Sequence, residues 1–128
     1  MATLMLPTLH AQLFVSVAPA KTSAQKIVVP LTMNNALPQT IQSARAAVFI
    51  IGGDGKVIDQ RTQWVIGGDK DKAGLAAGST NTFHFVIKTD RPMSTTNLTA
   101  RLSFSRVILQ NGKLVDVRKH VHIESIDR

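Results

Sequence analysis

The 128-residue chain predicts an all-β protein, an antiparallel sandwich of about seven strands. Apolar residues alternate with polar ones along successive short segments, which is the period of a half-buried strand. The connections between those segments are short and built from Gly, Pro, Asn and Ser, and no segment of useful length shows the helix period. Ala46–Arg61 sets the frame: an apolar run from Ala46 to Ile51 meets a turn at Gly52–Gly55 and resumes at Lys56-Val57-Ile58. Turn residues that accept positive φ between two β-branched runs predict a hairpin. A closed barrel is the alternative architecture.

Gln12–Val17 is the first strand, with Leu13, Val15 and Val17 on one face and Phe14 and Ser16 on the other. Pro19–Gln25 reads as a polar connection. Ile27–Met33 is the second strand, with Ile27, Val29, Leu31 and Met33 inward. Pro30 cannot donate to a ladder, so it predicts an edge or a bulge in this strand. Ser43–Ile51 and Lys56 to Ile66 form the third and fourth strands, with Trp64 expected as the large core aromatic. A loop rich in Gly, Asp, Lys and Ala follows over Gly67–Gly78.

Ser79–Lys88 is the fifth strand, with Phe83, Phe85 and Ile87 on one side. Asn97–Leu109 is the sixth, with Leu98, Ala100, Leu102 and Phe104 inward. Arg106 would fall on the core side if that alternation held, so a bulge is expected near Ser105. Asn111-Gly112 predicts a two-residue hairpin turn into the last strand, Leu114–Ile123, which carries Val115, Val117, Val121 and Ile123 on one face.

Fifteen basic against eight acidic residues give a formal charge of +7, spread along the chain rather than gathered in a run. Such a balance suits acidic partners such as nucleic acid, and equally serves solubility. One Trp, five Phe and no Tyr leave little for stacking against single-stranded bases. With no cysteine, disulfides and thiolate chemistry are excluded. No stretch is long and apolar enough to span a membrane. The length suits one sandwich over residues 12–128, preceded by an apolar segment over 1–11. Met1–Leu9 reads either as part of an export signal or as an uncleaved apolar arm; it lacks a basic n-region.

Several of these residues together resemble a bacterial immunoglobulin-like module of the FxLYD type. They are Thr32-Met33-Asn34-Asn35 closing a strand, the apolar strand Ala46–Ile51 and the turn Asp54-Gly55-Lys56-Val57. Leu75-Ala76-Ala77-Gly78-Ser79-Thr80, leading to Phe83 and Phe85, completes the pattern. The aromatic–Asp pair that precedes the turn in that family is replaced here by Ile51-Gly52-Gly53. The resemblance implies an immunoglobulin-like sandwich, a place in the cell envelope or outside the cell, and an interaction or spacer role without catalytic residues.

Each candidate site has a plainer explanation beside it. His120 and His122 could share a metal if both face outward from one strand, but a third ligand is missing because His84 is expected on the other sheet. Asp69-Lys70-Asp71 lacks the further ligands of a calcium loop. Ile51-Gly52-Gly53-Asp54 and Ile66-Gly67-Gly68-Asp69 repeat turn chemistry and not a phosphate loop. Asn97-Leu98-Thr99 is a glycosylation sequon. Trp64 fits a core position better than a sugar platform. No catalytic constellation and no cofactor motif is present, so no cofactor is expected and a non-enzymatic role is.

The expected interface is apolar: Leu4, Leu6 and Leu9 of the arm, with Phe14, Phe49 and Ile51 at outward positions. The partner would be another protein or further copies of this chain, the arm adding to an open strand edge. The alternative is a basic module that takes nucleic acid or another anionic polymer through Arg101, Arg106, Arg118 and Lys119.

Overall fold

A computed structural model describes residues 12–23, 25–68, 74–89 and 98–126. Among the described residues there are eight strands: β1 Leu13–Val17, β2 Lys21–Ser23, β3 Lys26–Asn35, β4 Ile41–Ile51, β5 Val57–Ile66, β6 Thr80–Lys88, β7 Thr99–Leu109 and β8 Val121–Ser125. One four-residue helix, α1 Val117–His120, precedes β8. The strands make two sheets. In the first, β3 pairs with β6 on one side and with β1 and then β2 on the other, and β8 lies beyond β1. The second runs β5-β4-β7. All pairings are antiparallel except β1 with β8, which is parallel.

The inward faces meet in one core. Leu13, Ile27, Val29, Leu31, Met33, Phe85 and Ile87 from the first sheet are buried against Ala46, Val48, Ile50, Leu102 and Phe104 from the second. Removing side chains of this size from water stabilises the fold by roughly 1.5–3 kcal/mol each before entropy is counted. Phe85, fully buried, is the largest of them. Trp64, expected there, is only half-buried. Register puts it opposite Arg45, on the outer face, and the backbone of Gly68 lies against its ring.

Pro30 does not mark an edge or a bulge. It sits within β3, opposite His84 of β6, and its carbonyl accepts from Ala18 N at 3.0 Å. The side that lacks a donor therefore looks toward the break between β1 and β2, where no ladder partner is required. The bulge near Ser105 is present: Arg45 pairs with Arg106 and Ala46 with Phe104, leaving Ser105 as the extra residue.

The last hairpin departs furthest from expectation. Leu109 N donates to Lys113 O and Gly112 N to Leu109 O, with Gly112 at φ +86°. That is a three-residue loop closed by a positive-φ glycine, not a two-residue turn. Gly52 repeats it: Gly52 N donates to Lys56 O, Gly55 N to Gly52 O, and Gly55 has φ +84°. In both loops the Asx side chain, Asp54 or Asn111, accepts from the lysine N two residues on. After Lys113 the chain pairs with β7 through Leu114 opposite Ile108 and Val115 N to Val107 O, and α1 also packs near β7. Asp116 then caps α1, its side chain accepting from Arg118 N, and the helix carries the chain across to β1. Val115, Val117, Val121 and Ile123 still pack on the core. Helix spacing brings Val117 and Val121 to the same side.

Candidate protein-interaction surface

The outer face of the β5-β4-β7 sheet is set by register. Side chains of directly paired residues share a face. One row is Val57, Ile51 and Thr99, the next Gln60, Phe49 and Arg101, then Thr62, Ala47 and Ser103, and last Trp64, Arg45 and Arg106. Apolar character thus gathers at the Ile51 end and positive charge at the Arg106 end. Phe49 and Ile51 are half-buried, whereas Val57 and Ile58 are 56% and 45% exposed. Ile58 is the residue left over where Ile50 pairs with Asp59 and Ile51 with Val57. Sequence reading placed Val57 and Ile58 at the start of the second strand of a hairpin without assigning them a face; with the shift in register, invisible in the alternation, both are exposed.

Phe14 does point outward, 36% exposed, but from the other sheet. Its ring meets His122 edge-on at 6.0 Å, and His122 lies 3.5 Å from Glu124. Phe14 therefore does not join Phe49 and Ile51 in one patch, because the two sheets face opposite ways. Leu4, Leu6 and Leu9 lie outside the described residues, as do Asp69-Lys70-Asp71 and Asn97.

The basic residues divide in the same way. Arg101 and Arg106 share the outer face with Arg45, and none of these three guanidiniums has an ion pair or hydrogen bond among the described residues. Arg118 and Lys119 sit on α1, off that face. The only carboxylate on the strands of this sheet, Asp59, pairs with Ile50 and so belongs to the inner side, where it holds Arg61 at 3.3 Å.

His84, His120 and His122 do not converge. His84 belongs to the same sheet as His122, not to the other one, but β3 and β1 separate their strands. Three strand spacings alone put about 14 Å between them across the sheet, and a four-residue offset along β3 adds to it. His120 closes α1 while His122 is in β8, so the two do not share a strand face. No group of three metal-ligating side chains occurs among the described residues.

No protein-family model matches the chain, and no curated protein does. Solved structures do. The ApaA protein of Bordetella pertussis superposes with a TM-score of 0.52 at 20% identity, over 81% of this chain and 85% of that one. IrmA of Escherichia coli gives 0.51 at 10% identity, over 91% of this chain and 94% of its own. At such identities the likeness is one of fold.

Proposed function

We propose that this chain is a non-enzymatic interaction or structural module of immunoglobulin-like type, acting in the cell envelope or outside the cell. Its partner is a protein, either different or a further copy of itself. The observation that carries this reading is the apolar end of the outer sheet face, where exposed Val57 and Ile58 adjoin half-buried Phe49 and Ile51. An apolar cluster at the rim of a sheet is the ordinary mark of a contact surface. The pairing of β3 with β6 in one sheet and of β4 with β7 in the other supports the immunoglobulin-like assignment. The arm Met1–Leu9 adds apolar length to the same role.

The test is the molar mass of the purified chain by size-exclusion chromatography with light scattering. A defined oligomer is expected. It should weaken in Val57→Ser/Ile58→Ser and be lost without Met1–Leu9. A monomer at every concentration overturns self-association and leaves a different protein as partner. The second reading, a surface for an anionic polymer, is favoured by three arginines on one face that have no ion pair among the described residues. Steep loss of oligothymidylate binding with added salt would support it.

A further inference from the structure

The strand edges of the two sheets are not equally protected. Along β6, Gln63 Nε2 donates to Val86 O at 2.8 Å and Arg61 Nη2 to Lys88 O at 3.4 Å, so side chains of β5 cover part of that edge. β8 is only five residues long. β7 runs for eleven residues with β4 along one side. On its other side, Leu114 and Val115 pair only with Ile108 and Val107, and the short helix α1 comes close to β7 without adding a strand to it. From Thr99 to Arg106 no strand lies against that side among the described residues.

The core is thinner at this flank. Ala100, Leu102 and Phe104 keep 5–7% exposure, whereas Val48 and Ile50 of the neighbouring strand have none. At the start of the edge a cavity of about 620 Å³ opens between the sheets, lined by Val17, Pro19, Leu98, Ala100 and Ile126. The outward side chains along the edge are Thr99, Arg101, Ser103 and Arg106, with Arg45 directly beside Arg106. That outer face carries no strand carboxylate among the described residues, Asp59 of β5 lying on the inner side.

We propose that the outer edge of β7 takes up an extended acidic segment of a partner protein as an added strand. A strand places alternate side chains on opposite faces. Carboxylates at one parity would meet Arg101 and Arg106, while apolar side chains at the other would cover the thin flank and enter the cavity by Leu98. The edge amides would supply the main-chain bonds. A nucleic acid would satisfy the arginines but leave the edge and the cavity unused, which is why an acidic peptide is favoured. The proposal rests on the reading of the chain as an interaction module and adds the chemistry of the partner.

The probe is a synthetic peptide of about eight residues, the length of Thr99–Arg106, alternating Glu with Val. Its control replaces each Glu by Lys. Nuclear magnetic resonance of the isotopically labelled full chain reads both binding and amide exchange. The Glu peptide should bind saturably and slow exchange along β7, and the Lys peptide should not. Arg101→Glu/Arg106→Glu should lose about tenfold or more in affinity for the Glu peptide and gain affinity for the Lys peptide. If the reversed variant does not fold, Arg101→Gln/Arg106→Gln should show the loss alone. Equal binding of the two peptides overturns the proposal, as does protection at β5 or β8 in place of β7. So does oligothymidylate binding with the same arginine dependence when the peptides fail. Molar mass is scored separately: failure at β7 with self-association intact removes the added strand and leaves the broader reading standing.

Discussion

Arg45 and Arg106 stand directly opposite each other on β4 and β7, side by side on the outer face of their sheet. The bulge makes this possible. Ser105 is the extra residue, its hydroxyl donating to Arg45 O at 3.3 Å, and the added residue turns Arg106 from the core side to solvent. Without it a guanidinium would be driven between the sheets, at a cost of several kcal/mol. The bulge avoids that burial but sets two like charges against each other.

Relieving that opposition should stabilise the protein. Like charges directly opposite on neighbouring strands are destabilising, by roughly 0.2–1 kcal/mol. Arg45→Thr keeps a good strand former and removes one charge, so its melting temperature should rise at low salt. The gain should shrink at high ionic strength, where the Debye length falls to a few ångström. A gain that ignores salt would assign the effect to strand propensity instead.

Asn35 is the buried polar residue on which the end of β3 depends. Its side chain is fully buried, donates to Gln39 O and Leu75 O at 2.9 Å each, and accepts from Leu37 N at 3.0 Å. Asn35→Ala strands those three groups and should cost about 2–4 kcal/mol, measured by denaturant unfolding. Asn35→Asp keeps the size but brings a carboxyl whose folded pKa burial raises above its unfolded value near 4. The folded state then holds the proton more tightly, so the variant should lose stability as pH rises above about 4 relative to Asn35→Ala. The opposite slope would show the carboxyl ionised in place.

The strands and their inward faces were legible because each reports on its own residues. Leu13-Val15-Val17 and Ala100-Leu102-Phe104 need only alternation, and the bulge at Ser105 showed as an arginine at the wrong parity. What failed was pairing. Nothing local distinguishes a last strand that follows β7 from one that crosses to β1. The clue lay at Lys119, which a continuous strand would turn inward, and in the four-residue step from Val117 to Val121, which is a helical turn. The outer surface was legible residue by residue but not as a patch. Phe14 and Phe49 both read as outward, and only the sheet assignment shows that they face opposite ways.

Two positive-φ glycines should respond very differently to alanine. Gly55 has φ +84° in an open loop, with nothing within 4 Å of a Cβ, so Gly55→Ala should cost about 1 kcal/mol of backbone strain. Gly67, at φ +63°, is buried, and a Cβ there would run into the backbone oxygen of Gln42 and the side chain of Ser43. Gly67→Ala should cost at least about 2 kcal/mol more, because rigid backbone must move as well. Equal losses in the two variants, measured by chemical denaturation, would show that the strand end at Ile66 yields freely.

Gln63 should protect the edge of β6 more than it stabilises the fold. Its amide reaches across from the inner side of β5 to Val86 O at 2.8 Å, in a partly buried position. A single such bond contributes about 1 kcal/mol, so Gln63→Leu should lower stability by no more than that. An unpaired carbonyl on an edge strand is a template for pairing with another chain. Aggregation on prolonged warming below the melting temperature should therefore accelerate by more than the small loss of stability explains. Adding Arg61→Leu removes the bond to Lys88 O as well and should accelerate it further. A variant of matched lower stability without a bared edge, Ile27→Val in the core at roughly 0.5–1.5 kcal/mol, is the control. If it aggregates as fast as Gln63→Leu, unfolding and not the exposed edge sets the rate.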